Sequence, residues 1–171
     1  MLAWLILALF LSGLAFAAIH DVATMTIPNW VSIAFAVLFL PAALLVGADW
    51  ASIGWHYLYG FVGLIVCIGL FSVGVFGGGD AKLLPAVLIW MGPGATLPYI
   101  YGIALSGGVL ALVFILSRRL IPQTAIPGFL HRSVVEGPGV PYAVAIAFGA
   151  IWAAKSSVIV SQIIGLTGLA Y

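Results

Sequence analysis

Two aspartates carry most of the chemical interest of this chain. Asp21 lies in His20-Asp21-Val22-Ala23-Thr24-Met25-Thr26-Ile27-Pro28-Asn29, and Asp80 closes Gly77-Gly78-Gly79. Only 5% of the 171 residues are charged, and an ionisable group beside a membrane span costs enough free energy to mark it as a functional candidate. Two carboxyls at one depth of a small helix bundle can meet, and a meeting pair does not readily ionise twice, so one serves as an acid and the other as a base. Water-driven peptide hydrolysis needs that division. The ionised carboxylate takes a proton from water, the water attacks the scissile carbonyl, and the protonated partner stabilises the developing oxyanion. Asp80 opens a helix and Asp21 follows one, so the helix dipoles favour Asp80 as the base and Asp21 as the acid. The three glycines allow close backbone approach and left-handed turns; by themselves they would read as tight helix packing.

The elements that must hold these residues are membrane helices. A composition 65% hydrophobic, with five Lys/Arg against four Asp/Glu, excludes an ordinary soluble domain and leaves no basic field for nucleic acid. Apolar runs at 2–19, 30–47, 56–76, 82–91, 96–117 and 141–162 predict one all-α polytopic domain over residues 1–171, a bundle of about six transmembrane helices. The stretch from Asp80 to Met91 reaches only about 18 Å as a helix, short of a hydrocarbon layer of about 30 Å. Asp80 therefore lies below the membrane surface, or this helix spans incompletely. Ala15-Phe16-Ala17 resembles a signal-peptide cleavage site, but no Lys or Arg precedes the first run, so that helix is expected to be retained. Lys82, Arg118, Arg119 and Arg132 fall in the first, third and fifth connections or beside them, which places those connections in the cytoplasm and the N-terminus outside it. Lys155, late in the sixth run, snorkels to the opposite surface. Asp21 and Asp80 share the cytoplasmic side.

The other ionisable groups read more blandly. His20, His56 and His131 lie at connections or helix ends without metal-ligand spacing, so they are expected at the interface and no metal site or cofactor is predicted. Asp49, with Trp50, Trp55 and His56, reads as an interfacial belt on the far side from the pair. Cys67 sits in an apolar run and reads as core. Arg118, Arg119 and Arg132 suit lipid headgroups; Glu136, in the polar stretch Ser117–Gly139, is the better partner for a basic peptide. Lys82 lies two residues past Asp80, so on a regular helix it faces elsewhere; a snorkelling role and a modulating one both stay open.

Asp21 followed by Ile27-Pro28-Asn29, then Gly77-Gly78-Gly79-Asp80-Ala81-Lys82, then Val140-Pro141-Tyr142-Ala143-Val144-Ala145-Ile146 resembles the type IV prepilin peptidases, aspartic membrane proteases with a Gly-x-Gly-Asp motif. The resemblance implies that Asp21 and Asp80 are the catalytic pair, with Gly77, Gly78, Gly79, Lys82, Pro28 and Asn29 supporting them. It further implies that the substrate is a prepilin with a short basic leader, cut at the cytoplasmic face of the bacterial inner membrane. Larger members carry a Cys-x-x-Cys insertion and also methylate the new N-terminus. Here one cysteine and the short connection 20–29 stand instead, so zinc and N-methylation are not expected. The compact form is similar to the tight-adherence (Flp) pilus branch and to the archaeal preflagellin peptidases, and Pro141-Tyr142-Ala143-Val144-Ala145-Ile146 favours the pilus branch. Two rival readings are a small proton- or ion-coupled transporter built on the same acidic residues, and an inactive assembly protein.

Overall fold

The computed structural model describes residues 1–120, 122 and 139–169. Its helices are α1 (Leu2–Thr24), α2 (Asn29–Leu45), α3 (Trp50–Ser72), α4 (Asp80–Leu120), α5 (Tyr142–Ala153) and α6 (Val158–Thr167), the last two joined by a 3-10 turn at Ala154–Ser156. No strand occurs among the described residues. Helices α1, α3 and α4 are long and apolar enough to cross a membrane; α5 and α6, bent by 79° to each other, make a fourth span if taken together. The architecture is that of an all-α polytopic membrane protein. Helix α3 shows the inside-out pattern: Phe61, Ile65 and Ile68 face outward while Gly60 and Cys67 are buried. Without a hydrophobic drive between helices in lipid, small residues at the contacts let backbones pack closely. A Cβ on Gly60 would run into Ile89, and one on Gly63 would lie 2.7 Å from Leu88 Cδ2.

Helix α4 is broken at Gly92, whose backbone (φ 65°, ψ −171°) suits a residue without Cβ. The arm 80–91 and the arm 93–120 fold back on each other, and the Tyr99 hydroxyl donates to the Leu84 carbonyl at 3.2 Å. Two separate helices at 82–91 and 96–117 are expected from the sequence; a hairpin turning on one residue is found, with Gly92-Pro93 at the reversal. The first arm is the core of the protein, with Leu83, Val87, Trp90 and Met91 almost fully buried. A reversal inside a helix orphans carbonyls. Pro93 has no N–H to give Ile89, and His56 Nδ1 fills the gap, donating to the Ile89 carbonyl at 2.7 Å. Ser157 Oγ donates to the next carbonyl, that of Trp90, at 2.6 Å.

These contacts correct three expectations. His56 is not interfacial: it is 3% exposed, stacks on Phe39, and occupies the space a Cβ on Gly92 would need. The run 141–162 is not one helix, since Ser157 is extended (φ −81°, ψ 126°) and caps α6 by accepting from the Val160 N–H. Lys155 accordingly sits exposed on the 3-10 turn. Asp49 caps α3, accepting from the Ser52 N–H at 2.5 Å, which is why that helix starts at Trp50 instead of near residue 56. Cys67 is buried as expected. His131, Arg132 and Glu136 lie outside the described residues.

Candidate active site

Asp21 is in the last turn of α1, not beyond it as the sequence suggested, because the helix runs on to Thr24 before Met25 closes it in the left-handed conformation (φ 55°). The side chain is 5% exposed. Its Oδ2 accepts from the backbone N–H of Ala143 at 3.1 Å, in the first turn of α5, whose N-cap is Pro141. An unpaired amide at a helix start is a natural carboxylate donor. Helix α5 therefore presents its N-terminus to the end of α1, joining residues 122 positions apart.

Asp80 is the first residue of α4 and is partly buried. The Gly77 amide hydrogen-bonds its carboxyl, and the carboxyls of Asp80 and Asp21 lie within electrostatic range of each other. Asp80 Oδ1 is buried and has no hydrogen-bond partner among the described residues. The glycine run serves close approach: a Cβ on Gly77 would stand 2.9 Å from Asp80 Oδ2, and one on Gly79 would stand 3.0 Å from Ile27 Cβ and 3.2 Å from Ile27 N. The left-handed turn that such a run permits is made earlier, at Gly74 (φ 76°). Gly78 makes only ordinary contact with Phe71.

Pro28 and Asn29 set the start of α2, with Pro28 as its N-cap (φ −62°, ψ 137°). Lys82 Nζ donates to Asn29 Oδ1 at 2.9 Å, so the lysine reaches sideways to α2. It thereby ties the starts of α2 and α4 together at the end of the bundle where both aspartates lie. His20 belongs to the same end, its Nδ1 bonded to the Thr26 carbonyl at 2.8 Å. There too Arg118 Nη2 donates to the Gly139 carbonyl at 2.7 Å, holding the end of α4 to the approach to α5.

The basis for assigning separate roles by helix ends does not survive this geometry. Asp21 lies in the C-terminal turn of its own helix, yet its carboxylate is bonded at the N-terminus of α5; both acids thus face a helix start. What the sequence reading missed is the amide of Ala143. The signal was present in Val140-Pro141-Tyr142, since a proline at a helix entry leaves the amides after it free. Phe76 and Tyr142, whose ring centroids are 6.1 Å apart, also flank this region and were not singled out for it.

Among the described residues, no three His, Cys, Asp or Glu side chains cluster as a metal site. No curated protein and no solved structure matches the chain. A sequence model of the type IV leader peptidase family matches residues 8–116, a stretch that includes Asp21, Asp80 and the whole glycine run and ends before α5. That match spans most of the chain, which therefore belongs to the type IV leader peptidase family.

Proposed function

We propose that the protein is an aspartic endopeptidase that removes the leader from Flp-like type IV prepilins at the cytoplasmic face of the bacterial inner membrane. The observation that carries this reading is the convergence of two carboxyls from the end of α1 and the start of α4. The unpartnered Asp80 Oδ1 is a buried acceptor where a catalytic water or a peptide N–H would bind. One carboxylate removes a proton from water; the water attacks the scissile carbonyl carbon. The other carboxylic acid donates a hydrogen bond to the new oxyanion, and a proton then passes to the leaving amine as the C–N bond breaks. The helix ends do not divide the roles, because each carboxyl faces a helix start.

The substrate, a leader followed by an apolar helix, slides laterally between helices, since the outward sides of α1 and α3 carry large apolar side chains such as Leu5, Leu9, Phe61 and Ile65. The clustering of Lys82 and Arg118 at the aspartate end supports the cytoplasmic placement. Proteolysis alone is proposed, without N-methylation, cofactor or zinc, on the short connection 20–29. The transporter reading would use the break in α4, but the carbonyls freed there are engaged by His56 and Ser157.

The test is co-expression of a candidate prepilin in membranes with wild type, Asp21→Asn or Asp80→Asn, scored by the gel shift of leader loss. Both variants are expected to lose cleavage by about 10²-fold or more, the usual worth of a general acid or base. Asp21→Asn keeps an acceptor for the Ala143 amide and should fold normally. Asp49→Asn, which still caps α3, should cleave like wild type. Full cleavage by either site variant would overturn the two-aspartate mechanism, and ion flux without cleavage would restore the transporter.

A further inference from the structure

Between α2, α3 and the first arm of α4 lies a groove of about 560 Å³ that the proteolytic step does not use. It exists because α2 and α3 each pack on α4 far more than on each other. Its deep end is bridged by the Tyr57 hydroxyl, which donates from α3 to the Ala36 carbonyl of α2 at 2.9 Å. Its mouth is at the aspartate end, where Asn29 starts α2 and Lys82 stands in the first turn of α4. Ile33 and Phe61 line its sides and are exposed, so the groove opens outward between α2 and α3, toward lipid.

Polarity falls in steps along this groove. At the mouth Lys82 carries a positive charge; one of its three N–H donors is spent on Asn29 Oδ1, and no carboxylate pairs with it among the described residues. Three residues along α2, about 4.5 Å further in, stands Ser32. It is 8% exposed, and its Oγ is buried without a hydrogen-bond partner among the described residues. A hydroxyl so placed in a lining wall is a polar group that the fold itself leaves unused. Deeper in, the walls at Ala36, Ala86 and Ile89 are apolar.

We propose that the groove binds one anionic glycerophospholipid of the surrounding bilayer. The order of groups matches: phosphate oxygens accept from the remaining Lys82 N–H groups, a glycerol ester carbonyl accepts from the Ser32 hydroxyl, and an acyl chain covers the apolar walls. A headgroup with its own ammonium would bring a like charge to Lys82, which favours an anionic lipid over a zwitterionic one. A free phosphate would leave the apolar walls uncovered. A spanning helix does not fit, since Asn29 to Ala36 measures only about 10 Å along α2, a third of a hydrocarbon layer of about 30 Å. Lys82 and Asn29 tie α2 to the helix that Asp80 opens, so a lipid held there braces the aspartate end of the bundle.

The test titrates phosphatidylglycerol, or phosphatidylcholine with the same chains, into the full chain in an uncharged detergent and reads the first bound lipid by native mass spectrometry. Wild type should hold phosphatidylglycerol about fivefold tighter or more, the worth of one basic residue at an anionic headgroup. Lys82→Gln should lose that preference, and Lys82→Arg should keep it. Ser32→Ala should weaken both lipids alike by about two- to tenfold, since both carry the ester; it removes only an unpaired oxygen and should fold as wild type does. Glycerol phosphate, which has no chains, should not displace bound lipid. Equal binding of the two lipids by wild type, or unchanged binding of both in Ser32→Ala, would overturn the site. So would displacement by glycerol phosphate, which would mark a site for free phosphate. An equal loss of preference in Arg119→Gln, an exposed basic side chain outside the groove, would also overturn it, because the attraction would then belong to the basic end as a whole.

Discussion

Replacing His56 with Phe tests how the buried arm that carries Asp80 is held. The substitution keeps an aromatic ring against Phe39, whose plane lies 20° from that of His56 at a centroid distance of 5.0 Å. It removes the bond from Nδ1 to the Ile89 carbonyl, 2.7 Å long. That carbonyl has no amide to fall back on, because the residue four positions on is Pro93. Leaving a buried acceptor unpaired costs about 1–3 kcal/mol in proteins generally, whereas hydrogen bonds between helices in membranes reach about 1.7 kcal/mol at most in one well-measured case. The overlap of those ranges sets the expected loss at about 1–2 kcal/mol, a factor of about 5–30 in the unfolding equilibrium. Unfolding in mixed detergent micelles, followed by tryptophan fluorescence, reads this directly, since Trp90 is fully buried beside the break. Ser157→Ala should cost at least as much, because that hydroxyl donates to the Trp90 carbonyl and also accepts from Val160. The two losses should couple by about 0.5 kcal/mol or more in the double variant, as both hold the same reversal. A His56→Phe protein as stable as wild type, or strict additivity with Ser157→Ala, would refute the view that these side chains replace the missing helix bonds.

Three further outcomes follow from close contacts and exposed bonds. Gly149→Ala would place a methyl 2.9 Å from both the Ile103 nitrogen and the Tyr99 oxygen; backbone cannot yield as a side chain can, so a loss of about 1–3 kcal/mol or more is expected in the same unfolding assay. Gly79→Ala forces the glycine run off Ile27 and should depress leader cleavage more than folding, read as a fall in kcat/KM of about 10²-fold for a shift of about 1 Å. Lys82→Gln removes an exposed charge bonded to Asn29 at 2.9 Å, and cleavage should stay within about tenfold of wild type, or about 1.4 kcal/mol. A complete loss would give the lysine a part in the chemistry.

Much of the site was legible because the chain spends so few charges. Asp21 and Asp80 stand out against an apolar background, and the Lys/Arg pattern brings them to one end of the bundle before any fold is known. Helix identity was legible for the same reason, since apolar runs report membrane helices well. The breaks were less so. Gly92-Pro93 reads as the end of one helix and the start of another, and hydropathy cannot say that the two arms lie back to back. Ser157 breaks the last run with no glycine or proline at the spot, through hydrogen bonds to residues remote in sequence. His56 read as interfacial because nothing local reveals that Pro93, on another helix, leaves a carbonyl in want of a donor.

The assignment of acid and base shows most clearly where local reasoning stops. Along the chain, Asp21 has only its own helix end for company, and Asp80 only its own helix start. In the fold, α5 turns its N-terminus onto Asp21, while the Gly77 amide is bonded to the Asp80 carboxyl. Each carboxyl therefore receives a backbone amide from a neighbouring segment, and the difference that separated them along the chain disappears. Any functional asymmetry must then come from what differs between them: Asp21 is 5% exposed and bonded through Oδ2, and Asp80 keeps Oδ1 buried without a partner. That free oxygen is the acceptor left open to a group that enters the site. Carboxyl infrared difference spectra with a non-cleavable substrate analogue should accordingly change at the Asp80 band, isolated in Asp21→Asn, more than at the Asp21 band, isolated in Asp80→Asn. Equal perturbation of the two bands would show that substrate engages both acids alike and that the free oxygen confers no priority.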